Sequence, residues 1–264
     1  MEIAGYLASV FIGISLGLIG GGGSILTVPV LVYLFVIDPI SATAYSLFIV
    51  GTTSIVGSVS YFKKGLIDIK TAIVFGIPSI AAVLLTRTYI VPAIPQEILS
   101  IGGFTVTKSI SLMLLFALLM IFASYSMIKK DKQTINPMQK QQFNYLSIFL
   151  QGIFIGTITG LIGAGGGFLV IPALVNLLKT PIKTAIGTSL VIISINSLMG
   201  FLFSLPHISI QWAFLLSIAT IAIIGILIGS YISTKVDGKK LKPAFGWFVL
   251  VMGIYIILKE TLLK

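Results

Sequence analysis

An apolar run without charged residues extends from residue 3 to residue 37 and is interrupted near its centre by four consecutive glycines, Gly20–Gly23. A continuous helix of this length would measure about 52 Å, whereas the hydrocarbon core of a bilayer is about 30 Å thick. Each glycine also costs about 1 kcal/mol in a helix interior. We therefore predict that the run breaks at these glycines into two short helices, over about 3–19 and 24–37.

Composition identifies the environment of these helices. The chain has 264 residues, of which 57% are hydrophobic and 9% charged, and its mean hydropathy is +1.13. Soluble domains carry about 25% charged residues. Because backbone groups in lipid must form hydrogen bonds internally, long apolar runs of this kind form membrane helices. The sequence therefore predicts an all-α integral membrane protein.

The residues needed for most catalytic and metal chemistry are scarce. The chain has no cysteine, and His207 is its single histidine, which excludes disulfides, thiolate nucleophiles and clustered histidine ligands. We therefore expect no enzyme activity, no cofactor and no bound metal. The net charge of +10 comes from residues spread over loop ends rather than from a basic helix face. This pattern favours a membrane topology signal over a nucleic-acid partner.

The glycine motif occurs twice. "GLIGGGGSILTVPVL" at 17–31 aligns with "GLIGAGGGFLVIPAL" at 160–174, an offset of 143, and the same offset aligns "SLFIV" at 46–50 with "SLVII" at 189–193. Matched glycine, proline and serine in one order indicate an internal duplication. The second copy has Ala164 in place of a glycine, so strict symmetry is not expected.

The duplication divides the chain into a first membrane repeat over 1–130 and a second over 143–264. The polar segment 131–142 is predicted to link them. By analogy with the first copy, the second opening run is predicted to break at Gly163–Gly167, between helices over about 143–162 and 167–178.

The distribution of positive charge bears on the direction of the two repeats. If each opening run crosses the membrane once, the 17 Lys and Arg divide nine to eight between the two sides. If each run folds back at its glycines, they divide thirteen to four, with Arg87, Lys108, Lys259 and Lys264 on the poorer side. The positive-inside rule favours the second arrangement. We therefore predict inverted repeats with a cytoplasmic linker and both termini outside, and leave open whether the fold-backs cross fully or are re-entrant.

Broken helices in inverted repeats are where membrane transporters bind their substrates. Helices that begin near Ser24 and Phe168 would present free N–H groups and a positive dipole end to an anion. Polar residues that follow each broken helix at matched positions could complete the site. The predicted substrate-binding residues are Gly20, Gly21, Gly22, Gly23, Ser24, Ser46, Thr52, Gly163, Gly165, Gly166, Gly167, Phe168, Thr188, Ser189 and Asn196.

Structural alternatives exist for many of these residues. Small residues permit tight helix packing in membranes, which is the expectation for Gly225 and Gly229. Serine and threonine in membrane helices commonly bond to their own helix. No predicted span contains a carboxylate, and Asp68 is the nearest one. A coupling ion, H⁺ or Na⁺, and the oligomeric state therefore stay open.

The two motifs carry a family resemblance. "GLIGGGGSILTVPVLVYLF" and its echo "GLIGAGGGFLVIPALVNLLKTPIKTAIGTSLVIISINSLMGF" resemble the TauE/SafE sulfite exporter family of bacterial and archaeal membrane proteins. The resemblance implies a multi-pass transporter at the cell membrane for small sulfur-containing anions, such as sulfite or an organosulfonate like sulfoacetate. An anion channel is the alternative, and a membrane assembly factor without transport activity is a weaker one.

Overall fold

The computed structural model describes residues 2–101, 104–128, 145–177, 180–233 and 238–262. The predicted linker, 131–142, lies outside these residues. The first half contains α1 (Glu2–Ile19), a 3₁₀ turn (Gly21–Leu26), α2 (Thr27–Tyr33), α3 (Pro39–Lys63), α4 (Ile69–Leu85), a π-helical turn (Thr86–Ile90), α5 (Val91–Ala93), β1 (Glu97–Ile101), β2 (Phe104–Thr107) and α6 (Lys108–Ile128). The second half contains α7 (Tyr145–Ile162), α8 (Gly167–Leu177), α9 (Ile182–Ser204), a 3₁₀ turn (Leu205–His207), α10 (Trp212–Ile232) and α11 (Gly238–Leu262).

Several of these helices are long and apolar enough to cross a membrane. Among the described residues, five stretches qualify, and α1 and α7 are somewhat shorter apolar helices. Large apolar side chains such as Phe11, Phe122 and Leu146 are exposed on the outer helix surfaces, where lipid would cover them. The chain is thus a multi-pass, predominantly α-helical membrane protein. The five stretches are 39–63, 69–93, 108–125, 182–207 and 212–232.

The first opening run folds back at its glycines. The ring of Phe35, just beyond α2, lies against Gly5 of α1, and it packs edge-on against Tyr6 with the ring centroids 5.4 Å apart. Gly23 in the intervening turn contacts the α1 backbone near Leu16. The run therefore returns to the end of the molecule from which it started.

The second opening run has a related course. Ile148 and Ile155 of α7 share a buried cluster with Val170 and Leu174 of α8. The start of α7 and the end of α8 are thereby packed in one apolar cluster. The predicted helix bounds in this run, 143–162 and 167–178, agree closely with α7 and α8. In the first run, the second helix was predicted to start at 24 but starts at Thr27, because a 3₁₀ turn occupies Gly21–Leu26.

Aspartate caps fix where α3 and α4 begin. The Asp38 carboxylate accepts hydrogen bonds from the backbone N–H groups of Ile40 (3.0 Å) and Ser41 (3.2 Å), and Pro39 occupies the first helical position. Asp68 accepts from the backbone N–H of Thr71 at 3.1 Å and from its hydroxyl at 2.6 Å. Such caps satisfy N–H groups that have no partner within the helix. Asp68 therefore has a structural role at the start of α4.

Glycines mediate the close packing between the two halves of the chain. α1 packs along α10 in the same direction, and α7 packs along α4 in the same direction. α3 and α9 pack in opposite directions, as do α6 and α11. Each direction follows from glycines and the residues that they touch: Gly13 with Ala222 and Gly17 with Gly229; Gly152 with Phe75 and Gly160 with Thr86; Gly51 with Leu198 and Gly200 with Leu47; Gly246 with Ile128 and Gly253 with Ala117.

A short β-hairpin departs from the all-α prediction. β1 and β2 pair antiparallel, with Glu97 opposite Thr107 and Ile101 opposite Phe104. The sequence contains the usual signal for a hairpin. A Gly-Gly pair at 102–103 lies between the two strands, and the second strand has the sequence "FTVT", which is rich in residues that favour strands. The hairpin connects α5 to α6 outside the long helices.

The basic residues whose side chains the structure describes lie at the two ends of the helical assembly. The lysine end comprises Lys63, Lys64, Lys70 and Lys183, close to where Leu66 contacts Gly187. At the opposite end, which we call the arginine end, Arg87, Lys108 and His207 line one cavity. Tyr6, Phe35, Tyr45, Phe201, Trp212 and Phe214 also cluster at the arginine end, as aromatic residues do at a membrane interface.

The packing of α1 on α10 makes a testable prediction about Gly229. A methyl group there would overlap the α1 backbone at Ile14, whereas a methyl group at Gly76 of α4 would meet no atom within 4 Å. Gly229→Ala should lower the free energy of unfolding by about 1–3 kcal/mol through overpacking. Gly76→Ala should raise it by up to about 1 kcal/mol through helix propensity. Thermal unfolding of the purified proteins in detergent measures both, and equal stability of the two variants would contradict the packing described.

Candidate functional site

The two glycine breaks have a related backbone geometry at their first residue. Gly20 has φ = 75° and Gly163 has φ = 73°, and the two residues are 143 positions apart, the offset of the sequence repeat. This left-handed conformation is readily accessible only to glycine. Both helices, α1 and α7, are therefore followed directly by a glycine with a positive φ angle.

The two breaks meet at the centre of the molecule. A side chain on Gly21 would overlap the backbone of Gly167, and a side chain on Gly167 would overlap the backbone of Gly21. The two backbones are thus in direct contact, with no side chain between them. Residues that lie 146 positions apart in the sequence, and that were both predicted as site residues, are brought together here.

The breaks differ beyond their first residue. In the second, Gly165 (φ = 68°) and Gly166 (φ = 67°) are also left-handed, and the eleven-residue α8 starts directly at Gly167. In the first, the Ser24 hydroxyl donates to the Gly21 carbonyl oxygen at 2.7 Å inside the 3₁₀ turn. The prediction of a helix start near Phe168 is therefore correct to one residue. The helical stretch predicted near Ser24 starts at Gly23, but its first turn is 3₁₀ and its α-helical part, α2, has seven residues. We expect a weak dipole from so short a helix.

Four of the predicted site residues make contacts within the protein that explain their positions without a solute. Thr52 donates to the carbonyl oxygen of Phe48 at 2.8 Å, and Ser189 donates to that of Ile186 at 2.8 Å, so both bond within their own helices. The Thr188 hydroxyl accepts a hydrogen bond from the Asp68 backbone N–H at 2.9 Å. Phe168 packs in the largest apolar cluster. These four side chains have structural contacts that account for their positions.

Two other predicted residues keep unused hydrogen-bonding atoms. The buried Ser46 hydroxyl has no partner among the described residues. Asn196 donates from its amide nitrogen to the Ser79 hydroxyl at 2.6 Å, which links α9 to α4, but its side-chain oxygen has no partner in the described part of the chain. Buried polar atoms normally have partners. These two residues are therefore candidates for contact with a bound solute.

The structure adds two hydroxyls that the sequence analysis did not select. Ser197 lies beside Gly165 and Thr159 lies beside Gly166. Both hydroxyls are buried, and neither has a hydrogen-bond partner within the described residues. The repeat contained a signal for Ser197, since the 143-residue offset places it opposite Ser54, whose buried hydroxyl also lacks a described partner. We call Gly21, Thr159, Gly165, Gly166, Gly167 and Ser197 the central site.

A polar cavity of about 280 Å³ lies at the arginine end. Arg87 and Lys108, whose positive charges were used only to predict topology, are 4% and 5% exposed. The cavity is lined by Ile40, Arg87, Val91, Pro92, Gln96, Lys108, Ser204, His207 and Ile208. None of these residues carries a negative charge.

A buried carboxylate in α11 was also missed by the sequence analysis. Glu260 is 2% exposed, and the Tyr33 hydroxyl donates to it at 3.0 Å. The Lys259 ammonium lies 4.2 Å from the centre of the Tyr33 ring. These contacts attach the end of the first fold-back to α11. No carboxylate was expected within a predicted span, whereas Glu260 lies near the end of α11.

Comparisons with known proteins place the chain among membrane transporters. The model of the family described as "Sulfite exporter TauE/SafE" matches residues 6–256. A "Probable membrane transporter protein" of Xylella fastidiosa is 28% identical over 251 residues, which cover 93% of this chain and 91% of the relative. The "Probable membrane transporter protein YunE" of Bacillus subtilis is 28% identical, with 91% and 89% covered. No solved structure gives a significant match.

The unpartnered hydroxyl of Ser197 allows a test of the central site. Ser197→Ala removes a buried group whose desolvation costs about 1–3 kcal/mol, so the ligand-free protein should melt at the same or a higher temperature. Flux of sulfite into liposomes should nevertheless fall, because a donor to the solute is lost. The matched control is Ser194→Ala, since the Ser194 hydroxyl donates to the Val191 carbonyl oxygen of its own helix and its removal should leave flux nearly unchanged. Equal flux in both variants would exclude Ser197 from the site.

Proposed function

Since the chain belongs to the TauE/SafE sulfite exporter family, we propose that it is a secondary carrier of small sulfur-containing anions, such as sulfite or an organosulfonate like sulfoacetate. The observation that carries the proposal is the backbone contact between the glycine breaks at Gly21 and Gly167. Irregular backbone at membrane depth is tolerated where it is buried in protein or lines a solute pathway. Here it lies between the two halves of the chain, where carriers place their substrates.

Inverted repeats over 1–130 and 143–264 are part of this proposal. The helix order of the first half recurs in the second, with α1, α3, α4 and α6 corresponding to α7, α9, α10 and α11. The packing is reciprocal, because α1 contacts α10 while α7 contacts α4. Corresponding helices that touch, α3 with α9 and α6 with α11, run in opposite directions. These relations support two copies turned over about an axis in the membrane plane.

The central site would hold an anion mainly through neutral donors. The N-terminus of α8 provides free N–H groups and the positive end of a helix dipole. The Thr159 and Ser197 hydroxyls lie beside the same turn, and each can donate one hydrogen bond. Because Gly21 and Gly167 have no side chains, only backbone separates the two halves at this point. Rocking of one repeat against the other would then expose this site to each side in turn.

An anion channel would use the same elements, and flux kinetics separate the two. A carrier with one central site saturates with substrate and accelerates uptake when the same substrate is present on the opposite side. We expect saturation and such exchange for sulfite or sulfoacetate with the purified protein in liposomes, and weaker flux of taurine, which has no net charge. Linear, non-saturating flux would favour a channel. Absence of flux for sulfite, sulfate, thiosulfate, sulfoacetate and simple carboxylates alike would favour the assembly-factor alternative.

The proposed membrane orientation, with the linker cytoplasmic and both termini outside, can be tested with single cysteines, because the chain contains no native cysteine. Cysteines at Gln133 in the linker and at Lys183 should react with an impermeant thiol reagent only from the cytoplasmic side. A cysteine at Gln96 should react only from the outside. Labelling of Gln133 and Lys183 from opposite sides would disprove the inverted arrangement, since it requires both to lie at one end.

A further inference from the structure

We propose that the polar cavity at the arginine end is a second anion site, the outer entry site of the carrier, which binds a small oxyanion through the guanidinium of Arg87 and the ammonium of Lys108. This inference rests on the proposed anion transport but concerns residues other than the central site. Its ligand class is a sulfonate, sulfite or carboxylate group, which presents two or more oxygens on one face.

The first argument is the charge balance of the cavity. Arg87 and Lys108 are both almost completely buried, and no residue that lines the cavity is acidic. Asp38, at the start of α3, accepts from the N–H groups of its own helix start, and Glu97 in the hairpin is exposed. A buried charge without a counter-charge destabilises the folded protein. An anion in the cavity would remove that destabilisation.

The second argument is the hydrogen bonding of Arg87. Its Nη1 donates to the Thr43 hydroxyl at 3.2 Å, whereas its Nε and Nη2 are buried and have no partner among the described residues. Nε and Nη2 lie on the same edge of the guanidinium, so their N–H bonds are nearly parallel. That edge matches two oxygens of a carboxylate or sulfonate, a pairing that is both strong and specific.

The third argument is the backbone that holds Arg87. It lies in the π-helical turn Thr86–Ile90, where α4 widens by one residue. Such turns inside α-helices occur frequently at functional sites. The opposite wall is fixed by the hairpin, because the Lys108 backbone N–H donates to the Gln96 carbonyl oxygen at 2.9 Å. Both cations are thus held by ordered backbone rather than by mobile loops.

The fourth argument connects the cavity to the central site. Thr43, which receives the hydrogen bond from Arg87, lies directly against Gly163, the first residue of the second glycine break. A single residue, Thr43, therefore lies between Arg87 and the glycine break that contains Gly165 and Gly166. The equivalent position in the other half, 143 residues further on, is Ser230. A buried arginine is therefore present at this position in the first half only.

Binding and stability measurements on the full-length chain in detergent test this inference. The probes are sodium sulfite and sulfoacetate, compared with sodium chloride at equal ionic strength. Both oxyanions should raise the melting temperature, because a ligand that binds only the folded state stabilises it. Arg87→Gln should weaken their affinity at least tenfold, since bonds to charged groups contribute about 1.5–3 kcal/mol. Arg87→Lys should weaken the affinity by a similar factor, because lysine keeps the charge but lacks the two parallel N–H donors of the guanidinium.

Two controls separate anion binding from a structural role of Arg87. Lys63→Gln with Lys64→Gln removes two exposed charges at the lysine end and should leave affinity within about twofold, as expected for screened surface charge. Without ligand, Arg87→Gln should melt at the same or a higher temperature, because it removes a buried unpaired charge. A lower ligand-free melting temperature together with unchanged affinity would overturn the proposal.

Lys108→Gln provides an independent variant should Arg87→Gln fail to fold. It should weaken affinity about threefold to tenfold, the loss expected for one charge-assisted bond, and unchanged affinity would also overturn the proposal.

Flux measurements distinguish this inference from the proposed function. Saturable sulfite flux that is equal in the wild type and in Arg87→Gln would retain the carrier and reject the outer site. Anion binding that is lost in Arg87→Gln, without flux in the wild type, would retain the site and reject transport.

Discussion

The contact of the Gly21 backbone with the Gly167 backbone is the constraint on which the rest of the structure depends. In this structure the contact joins the two points at which the opening runs break and fold back. The helices α1 and α7 that lead to it enter from opposite ends of the assembly. The glycines therefore determine the course of the chain in each half and also the surface along which the halves meet.

Much of the fold could be predicted from the sequence because its signals are local. The glycine runs, the 143-residue offset and the distribution of charges predicted the helix breaks and the fold-back. The 3₁₀ turn at Gly21–Leu26 was not predicted, because glycine-rich sequence marks a break without specifying which turn fills it. The Gly-Gly hairpin had a recognisable signal, but the composition predicted an all-α chain.

The site was less predictable, for a physical reason. Whether a hydroxyl is available depends on which carbonyl oxygen lies near it, and that is a tertiary property. Thr52 and Ser189 bond within their helices, whereas Ser197 does not, although all three follow a broken helix in similar sequence. Arg87 illustrates the same difficulty. An arginine near the end of an apolar run usually sets topology by reaching the interface, and only the packing around it shows that it is buried.

The reciprocal pairing of α1 with α10 has a consequence for how the protein is made. α1 leaves the ribosome first, but the glycine-lined surface that receives it belongs to a helix that starts at Trp212. At 5–20 residues per second, α10 follows about 10–40 s later. During that interval the small-residue face of α1 is covered by lipid or by the insertion machinery. The packing of α1 therefore waits for the end of the second half, whereas α7 finds its partner α4 already made.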